Sequence, residues 1–215
     1  MLFLPKVQMD FVEGDIPKGI KFGKYTHLDI ETGGLHKEEH GLFVVIIGHA
    51  PRPDGTFSKA LICRVVDNEE CPPRMKKYLR DKKTAKIIHN GMFDAPFIYS
   101  KWGVLTENIL CTKSLAKIVR KCTGNSYKRI TKKAADVDLL KGSTSVSEWS
   151  LPFSEWTDEM KDYCGYDVVF GLKNFNYLMK LATDEDKEVF ERLSFVWPDL
   201  VKLQCKLRLG DLQLV

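Results

Sequence analysis

The chain has 215 residues, 44% of them hydrophobic, and a formal net charge of +4. This length and apolar content can support one domain with a substantial core, or one domain with an appendage. No apolar run in the sequence is long enough for a signal peptide or a membrane span, so we expect an intracellular protein, cytoplasmic or nucleoid-associated, with no membrane partner. The six cysteines form no C-x-x-C pair and no zinc-spaced cluster, and we expect reduced thiols.

Three apolar segments in the first third of the chain predict buried strands. They follow a lead-in over residues 1–23 that has room for one short edge strand, and they cover Tyr25–Thr32, Leu42–Ile47 and Ala60–Val66. The connections between them are short and contain Gly, Pro and Asp, which favours an antiparallel meander.

Helices and strands alternate in the next part of the chain. Helices are predicted over Arg74–Arg80, Phe93–Lys101 and Thr112–Lys121, and strands over Ala85–Ile88 and Asn108–Cys111. The whole pattern therefore predicts an α/β fold with a mixed five-stranded sheet, three strands in an antiparallel meander and two parallel, flanked by helices.

Two acidic residues, Asp29 and Glu31, close the first of these strands. Residues two apart on a strand point to the same face, so the two carboxylates lie side by side. Like charges this close repel unless a cation lies between them. A solvated strand end accounts for the pair equally well, and the rest of the chain has to decide between it and a divalent cation at the sheet edge.

Two further aspartates occupy places where a carboxylate needs an explanation. Asp94 follows a predicted strand and opens a helix; the helix N-terminus alone would favour it, but strand ends are also where open α/β sheets place their sites. Asp167 lies on a helix that we expect from the N-cap Thr157 to about Met179, one turn after Tyr163. Its neighbours are apolar, so it needs a partner, either a backbone group that it caps or a metal ion.

Three motifs then occur in order along the chain: D-x-E at Asp29 and Glu31, N-x-x-x-D at Asn90 and Asp94, and Y-x-x-x-D at Tyr163 and Asp167. Together they resemble the DEDDy branch of the DnaQ-like 3′–5′ exonucleases, and most of all the proofreading domain of family A DNA polymerases, including those of phages. The resemblance covers about residues 24–181 and implies a ribonuclease H-like sheet. We therefore expect an exonuclease domain over residues 1–182 and a helical extension over residues 183–215.

The resemblance also implies roles for the acidic residues. It implies two ions, Mg²⁺ or Mn²⁺, held by the carboxylates of Asp29, Glu31, Asp94 and Asp167, with Asp29 bridging both. Glu31 and Asp167 would hold the metal that carries the attacking water, and Asp94 would act on the other metal mainly through water. Tyr163 would orient the nucleophilic water, because an ordinary tyrosine pKa of ~10 suits orientation better than general-base catalysis.

Candidate substrate contacts come from the same likeness and from a basic segment. By the likeness, His89 and Asn90 lie near the terminal nucleotide, Thr32 meets the 3′ end, and Leu35 inserts between the last bases unless it packs within its own turn. The basic segment supplies four candidate phosphate contacts: Lys128, Arg129, Lys132 and Lys133. A solvated basic helix and loop accounts for these cations equally well.

The end of the chain carries an amphipathic stripe. Its apolar residues recur at steps of four and three: Val189, Leu193, Val196, Leu200, Leu203 and Leu207. Pro198 either kinks this helix or starts a second one. We expect the stripe to pack on the domain; if exposed, it would imply a dimer or a partner such as a polymerase or another replication protein.

The sequence thus predicts a metal-dependent 3′–5′ exonuclease that acts on DNA, preferably at single-stranded or frayed 3′ ends, and releases nucleoside 5′-monophosphates. An RNase D-like exoribonuclease and a non-catalytic nucleic-acid-binding module for a polymerase are the alternatives. The complete acidic set argues against a pure binder, since acids near phosphates weaken binding. Fold and motifs alone do not separate DNA from RNA.

Overall fold

The computed structural model describes residues 5–37, 39–66, 68–119, 122, 124–139 and 146–208. The strands are β1 (Gln8–Glu13), β2 (Tyr25–Thr32), β3 (Leu42–Pro51), β4 (Phe57–Arg64), β5 (Ala85–Ile88) and β6 (Ile109–Cys111). The α-helices of these residues are α1 (Pro73–Leu79), α2 (Gly91–Trp102), α3 (Thr112–Ile118), α4 (Tyr127–Ala135), α5 (Asp158–Val169), α6 (Gly171–Leu181) and α7 (Asp184–Arg208). Short 3₁₀ turns cover Val146–Ser150 and Phe153–Glu155.

The strands form a mixed sheet in the order β1-β4-β3-β2-β5-β6. Pairing is antiparallel between β2 and β3 and between β3 and β4, and parallel between β2 and β5 and between β5 and β6. The predicted meander and the two parallel strands are therefore confirmed. The sheet gains a sixth strand because the lead-in supplies the edge strand β1, which pairs in parallel with β4.

The two faces of β2 serve different purposes. Leu28 and Ile30 point into a core that also contains residues of α1, α2 and α7. His27, Asp29 and Glu31 alternate with them and therefore point to the opposite face, where α5 and α6 contact the strand. The strand thus separates the main apolar core from the acidic residues.

The prediction of one long helix from Thr157 to about Met179 is wrong in one respect, because the structure has two helices there, α5 and α6, which meet at Phe170. A continuous helix would use the Val168 carbonyl for its own ladder, whereas here the His27 Nδ1–H of β2 donates to that oxygen at 3.0 Å. Thr157 caps α5 as predicted, since its hydroxyl accepts a hydrogen bond from the Met160 N–H.

Helix α7 runs unbroken through Pro198, and the face that it buries differs from the predicted stripe. Its buried apolar side chains are Phe190, Trp197, Val201 and Cys205. Val189, Val196 and Leu203 of the stripe are 48%, 39% and 52% exposed, so the prediction that the stripe packs on the domain is wrong for these three. The buried face instead carries the two aromatic rings of α7 that pack against the domain, Phe190 and Trp197. The side chain of Leu207 lies outside the described residues.

All six cysteines are free thiols. No helix in the described part of the chain is both long enough and apolar enough to cross a bilayer.

We expect Trp197→Ala to lower the free energy of unfolding by about 3–5 kcal/mol, because the ring is fully buried and packs near Gly91 at the start of α2. Phe195→Ala is the matched control, since this ring lies on the same helix but is 86% exposed. Urea unfolding monitored by circular dichroism measures both. Equal stability of the two variants would contradict a structural role of α7 in the core.

Candidate active site

Four carboxylates from three elements meet where β2 ends. Asp29 and Glu31 share one face of β2, and each of them and Asp167 of α5 offers an oxygen within 4.8 Å of the other two. Asp94, in the first turn of α2, lines the same cleft of about 240 Å³. The structure therefore brings together all four carboxylates that the sequence selected.

Two glycines allow α5 to seat Asp167 against β2. A Cβ at Gly48 of β3 would lie 2.9 Å from the Val168 carbonyl oxygen, and one at Gly171 would lie 2.4 Å from the His27 ring. Both distances are too short for a side chain, so only glycine permits this approach of helix and sheet. The hydrogen bond from His27 to Val168 then fixes the residue next to Asp167.

The turn between β5 and α2 positions Asp94. Asn90 caps the helix in the left-handed conformation, with φ at 71°, a region that asparagine tolerates better than most residues. Its side-chain oxygen accepts a hydrogen bond of 3.1 Å from Lys113 Nζ, which ties the turn to α3. Asp94 follows one turn into the helix and is 2% exposed.

Burial and mutual repulsion raise the pKa values of the cluster. Burial raises the pKa of Asp29 well above its usual value, and the charges of Asp94, Asp167 and Glu31 raise it further. The pKa of Glu31 is raised well above its usual value by burial and then by Asp167 and Asp94. Burial also raises the pKa of Asp94 to about 8 and that of Asp167 to about 7, the latter opposed by a hydrogen bond from the Tyr163 hydroxyl.

This donor set fits a divalent metal. In the described part of the chain, none of the four carboxylates forms an ion pair with Lys or Arg. Four close acidic groups without a counter-charge are unfavourable by themselves, and a bound divalent cation removes that penalty. The donors are all oxygen atoms, the ligand type that Mg²⁺ and Mn²⁺ prefer.

Tyr163 stands one turn before Asp167 on α5 and directs its hydroxyl into the cleft. Burial, followed by the charges of Asp167 and Glu31, raises the pKa of Tyr163 above its ordinary value. The Trp149 ring, with its centroid 5.9 Å away, packs against the tyrosine ring. The hydroxyl therefore stays protonated and acts as a fixed hydrogen-bond donor.

A wall of three rings closes the other side of the cleft, and the sequence predicted only one of them, His89, and not His27 or Tyr127. The Tyr127 ring at the start of α4 packs against His27 and His89, with centroids 5.6 and 5.4 Å apart. Burial lowers the pKa of His27 to about 4 and that of His89 to about 3, so both rings are neutral near pH 7. His89 is held by Thr112, whose hydroxyl oxygen lies 3.0 Å from its Nδ1.

The Tyr127 side chain lines the carboxylate cleft with its hydroxyl oxygen buried near the backbone of Phe170. Burial, with the charges of Asp167 and Asp29, raises its pKa, so it is also a neutral donor. The sequence contains a pattern from which a buried position of Tyr127 could have been predicted. Ser126 is a helix N-cap residue, and Tyr127, Ile130 and Thr131 have the spacing of one buried helix face.

The other predicted substrate contacts divide into two groups. Asn90 and His89 line the cleft, Thr32 is buried at the end of β2, and Leu35 is a 75% exposed side chain on the rim. The four cations of α4 point away from the cleft lining. Lys128 and Arg129 are exposed, Lys132 lies 2.9 Å from both Asp136 and Asp138, and Lys133 also interacts with other groups.

Four carboxylates converge at the end of the central strand β2 of a mixed sheet, and a tyrosine lies one turn before the last of them. This combination defines the class of DnaQ-like nucleases. Comparison with known proteins agrees with this class. A family model described as 3′-5′ exonuclease matches residues 15–182. The chain belongs to this 3′-5′ exonuclease family, and the resemblance noted in the sequence is confirmed. No curated protein matches the chain.

Solved structures share the fold. An apo form of a nuclease superposes with a TM-score of 0.82 at 24% identity, covering 95% of this chain and 95% of that chain. Brucella melitensis NrnC with bound Mg²⁺ has a TM-score of 0.80 at 21% identity and covers 97% of this chain and 99% of that chain. Escherichia coli RNase D has a TM-score of 0.57 at 18% identity, covering 86% of this chain and 44% of that chain.

The raised carboxylate pKa values predict how the metal-free protein responds to pH. Because the folded protein binds protons at Asp94 and Asp167 more tightly than the unfolded chain does, their protonation stabilises the fold, fully below about pH 4. This stabilisation is lost as the pH rises through about 7 for Asp167 and about 8 for Asp94. The buried histidines oppose this effect only below about pH 6.5, where they are charged in the unfolded chain. We therefore expect the stability of EDTA-treated protein to fall by about 1–2 kcal/mol between about pH 6.5 and pH 8.

Thermal melting at fixed ionic strength measures this response. Asp94→Asn should reduce the fall, while Asp158→Asn, whose side chain is fully exposed on α5, should not change it. Added Mg²⁺ or Mn²⁺ should raise the melting temperature more at pH 8 than at pH 6.5, because metal competes with protons for the carboxylates. A melting temperature that rises across this pH range in EDTA would contradict the assignment.

Proposed function

We propose that this 3′-5′ exonuclease removes nucleotides from single-stranded or frayed 3′ ends of DNA and releases nucleoside 5′-monophosphates. The observation that carries the proposal is the group of four close carboxylates without a Lys or Arg partner in the described residues. Asp29, Glu31, Asp94 and Asp167 would hold two divalent cations, with Mg²⁺ favoured by the Mg²⁺-bound neighbour and Mn²⁺ also suited to the ligands. Bound metal ions would activate a water molecule and stabilise the charge that develops on the phosphate.

The side chains around the carboxylates would bind and orient the substrate. The Tyr163 hydroxyl, which here donates to Asp167, would turn to the attacking water and align it with the phosphorus. Asn90 would contact the terminal nucleotide and Thr32 the 3′ end. Leu35 shares a second cavity with Asn90 and Phe93, and its exposed side chain would pack between the last two bases.

Tyr127 completes this proposal from the opposite wall. A neutral donor beside His27 and His89 suits a non-bridging phosphate oxygen, because the developing negative charge is stabilised by a donor already in place. The proton of the Tyr127 hydroxyl has no acceptor among the described residues and would be donated to the substrate. The cations of α4, of which Lys128 and Arg129 are exposed, would contact phosphates further along the strand in a non-specific way.

RNA is the second candidate substrate, and particular observations favour it. Solved structures that share the fold include Brucella melitensis NrnC bound to pGG and Trypanosoma brucei RNase D in complex with RNA U12. A short oligoribonucleotide therefore has to be tested beside DNA. A non-catalytic binding role, the other alternative, is disfavoured by the family and by the acidic cleft.

The deciding experiment compares 5′-labelled DNA and RNA of one sequence, together with a dinucleotide, in Mg²⁺, Mn²⁺ or EDTA. We expect stepwise metal-dependent shortening from the 3′ end, reduced at least about 100-fold by Asp94→Asn and unchanged by Asp158→Asn. A higher kcat/KM for RNA than for DNA would replace the proposed substrate by RNA. Absence of cleavage of every substrate by folded protein would refute the exonuclease function of this chain.

Conservative tyrosine variants separate the two hydroxyl roles. We expect Tyr163→Phe and Tyr127→Phe each to lower kcat by about 10- to 100-fold with little change in KM, the effect of one hydrogen bond to a developing charge. Tyr177→Phe on α6, outside the cleft lining, is the control. Single-turnover kinetics measures the chemical step. An increase in KM at unchanged kcat would instead assign Tyr127 to ground-state binding.

A further inference from the structure

Helix α7 carries two adjacent rows of exposed side chains on the side that faces away from the core. The apolar row consists of Val189, Val196 and Leu203, which are 48%, 39% and 52% exposed. Exposed apolar residues are common when scattered, whereas three large ones on a single line mark an interaction surface. The second row, which we call the charged row, consists of Glu185, Arg192, Asp199 and Lys206.

Both rows repeat every seven residues, which is close to two turns of helix, so each row is nearly straight and drifts by only about 20° per repeat. Residues three and four apart are neighbours on a helix surface, so the apolar row and the charged row run side by side. The opposite side of α7 is already occupied, since Phe190, Trp197 and Val201 belong to the domain core. The free side therefore has the width for one further helix.

We propose that this side binds α7 of a second copy of the chain, with the two helices antiparallel and Val196 at the two-fold axis. In that arrangement Val189 of one copy lies opposite Leu203 of the other, and the apolar rows meet along their length. The charges then match without exception. Arg192 lies opposite Asp199, and Glu185 lies opposite Lys206, because the signs along the charged row alternate.

Helix geometry selects this direction over the parallel one. When the two helices are antiparallel, the two-fold axis places each row against the same row of the other copy. The apolar row then meets the apolar row, and each charge meets an opposite charge. A parallel axis would set the apolar row of one copy against the charged row of the other. That pairing would leave aliphatic side chains against ionic ones and would match no charges.

The ion pairs now present on α7 do not prevent this exchange of partners. Arg192 lies 2.6 Å from Glu188, and Lys202 lies 3.5 Å from Asp199. The side chains of all four residues are 45% or more exposed, so each pair contributes little to stability and can rearrange. One helix pair is a small interface, so we expect association at about micromolar concentrations.

The test measures the mass of the full chain by sedimentation velocity from about 1 to about 300 μM. We expect a concentration-dependent dimer. Val196→Glu should weaken it at least about tenfold, because two like charges would meet at the axis. Phe195→Glu is the matched control: the residue is adjacent and 86% exposed but lies outside both rows, so the dimer should persist.

Charge reversal tests the antiparallel direction. Arg192→Glu and Asp199→Arg should each weaken self-association, because each creates like charges at both symmetric contacts. An equimolar mixture of the two variants restores opposite charges at both contacts and should dimerise as the unchanged chain does. Circular dichroism establishes that each variant is folded.

Three outcomes would overturn the proposal. A monomer at every concentration would show that the two rows do not bind a second copy of the chain. A dimer lost in Phe195→Glu but kept in Val196→Glu would place the contact elsewhere on α7. A mixture that stays as dissociated as the separate variants would exclude the antiparallel register.

Discussion

Four carboxylates held close together in a partly desolvated cleft are the constraint on which the rest of this structure depends. Burial disfavours the charge on each group, and each charge disfavours the next, as the raised pKa of Asp29 shows. A fold that keeps such a cluster must hold its members rigidly by other means. Here the means are a strand, a helix start and a helix end that meet at one edge of the sheet.

Each of these three supports has its own physical basis. The alternation of β2 places Asp29 and Glu31 on one face while Leu28 and Ile30 anchor the strand in the core. Gly48, Gly171 and the His27 hydrogen bond let α5 approach closely enough to deliver Asp167. The energy that the acidic cluster costs is therefore offset by apolar packing on the opposite side of the same strand.

The local part of this arrangement could be predicted from the sequence, and the part that depends on tertiary contacts could not. The spacing of Asp29 and Glu31 and the position of Asp94 after a strand follow from backbone geometry alone, and so do the meander and the parallel strands. The break at Phe170 could not be predicted, because the His27 hydrogen bond that meets the Val168 carbonyl there joins residues 141 positions apart.

Tyr127 was missed for a related reason. The cations of α4 attracted attention to its outer face, while the buried face of this helix is set by Asn174, whose side chain donates to Thr131 at 2.8 Å. Asn174 had interrupted the apolar pattern of its own helix without explanation. Only the structure shows that this buried amide joins α6 to α4 and so directs Tyr127 into the cleft.

The orientation of α7 shows how two apolar patterns on one helix compete for the same core. The aliphatic stripe is the more regular pattern, yet the less regular face with Phe190 and Trp197 is buried, because bulky rings fill more of the space beside α2 and α3. Regular spacing alone therefore does not identify the core face of a helix. A seven-residue repeat of exposed side chains is instead what packing of a second helix requires, since a partner helix can follow an exposed row only if the row stays straight. The competition between the two patterns thus assigns the rings to folding and leaves the rows at 189–203 and 185–206 available for association.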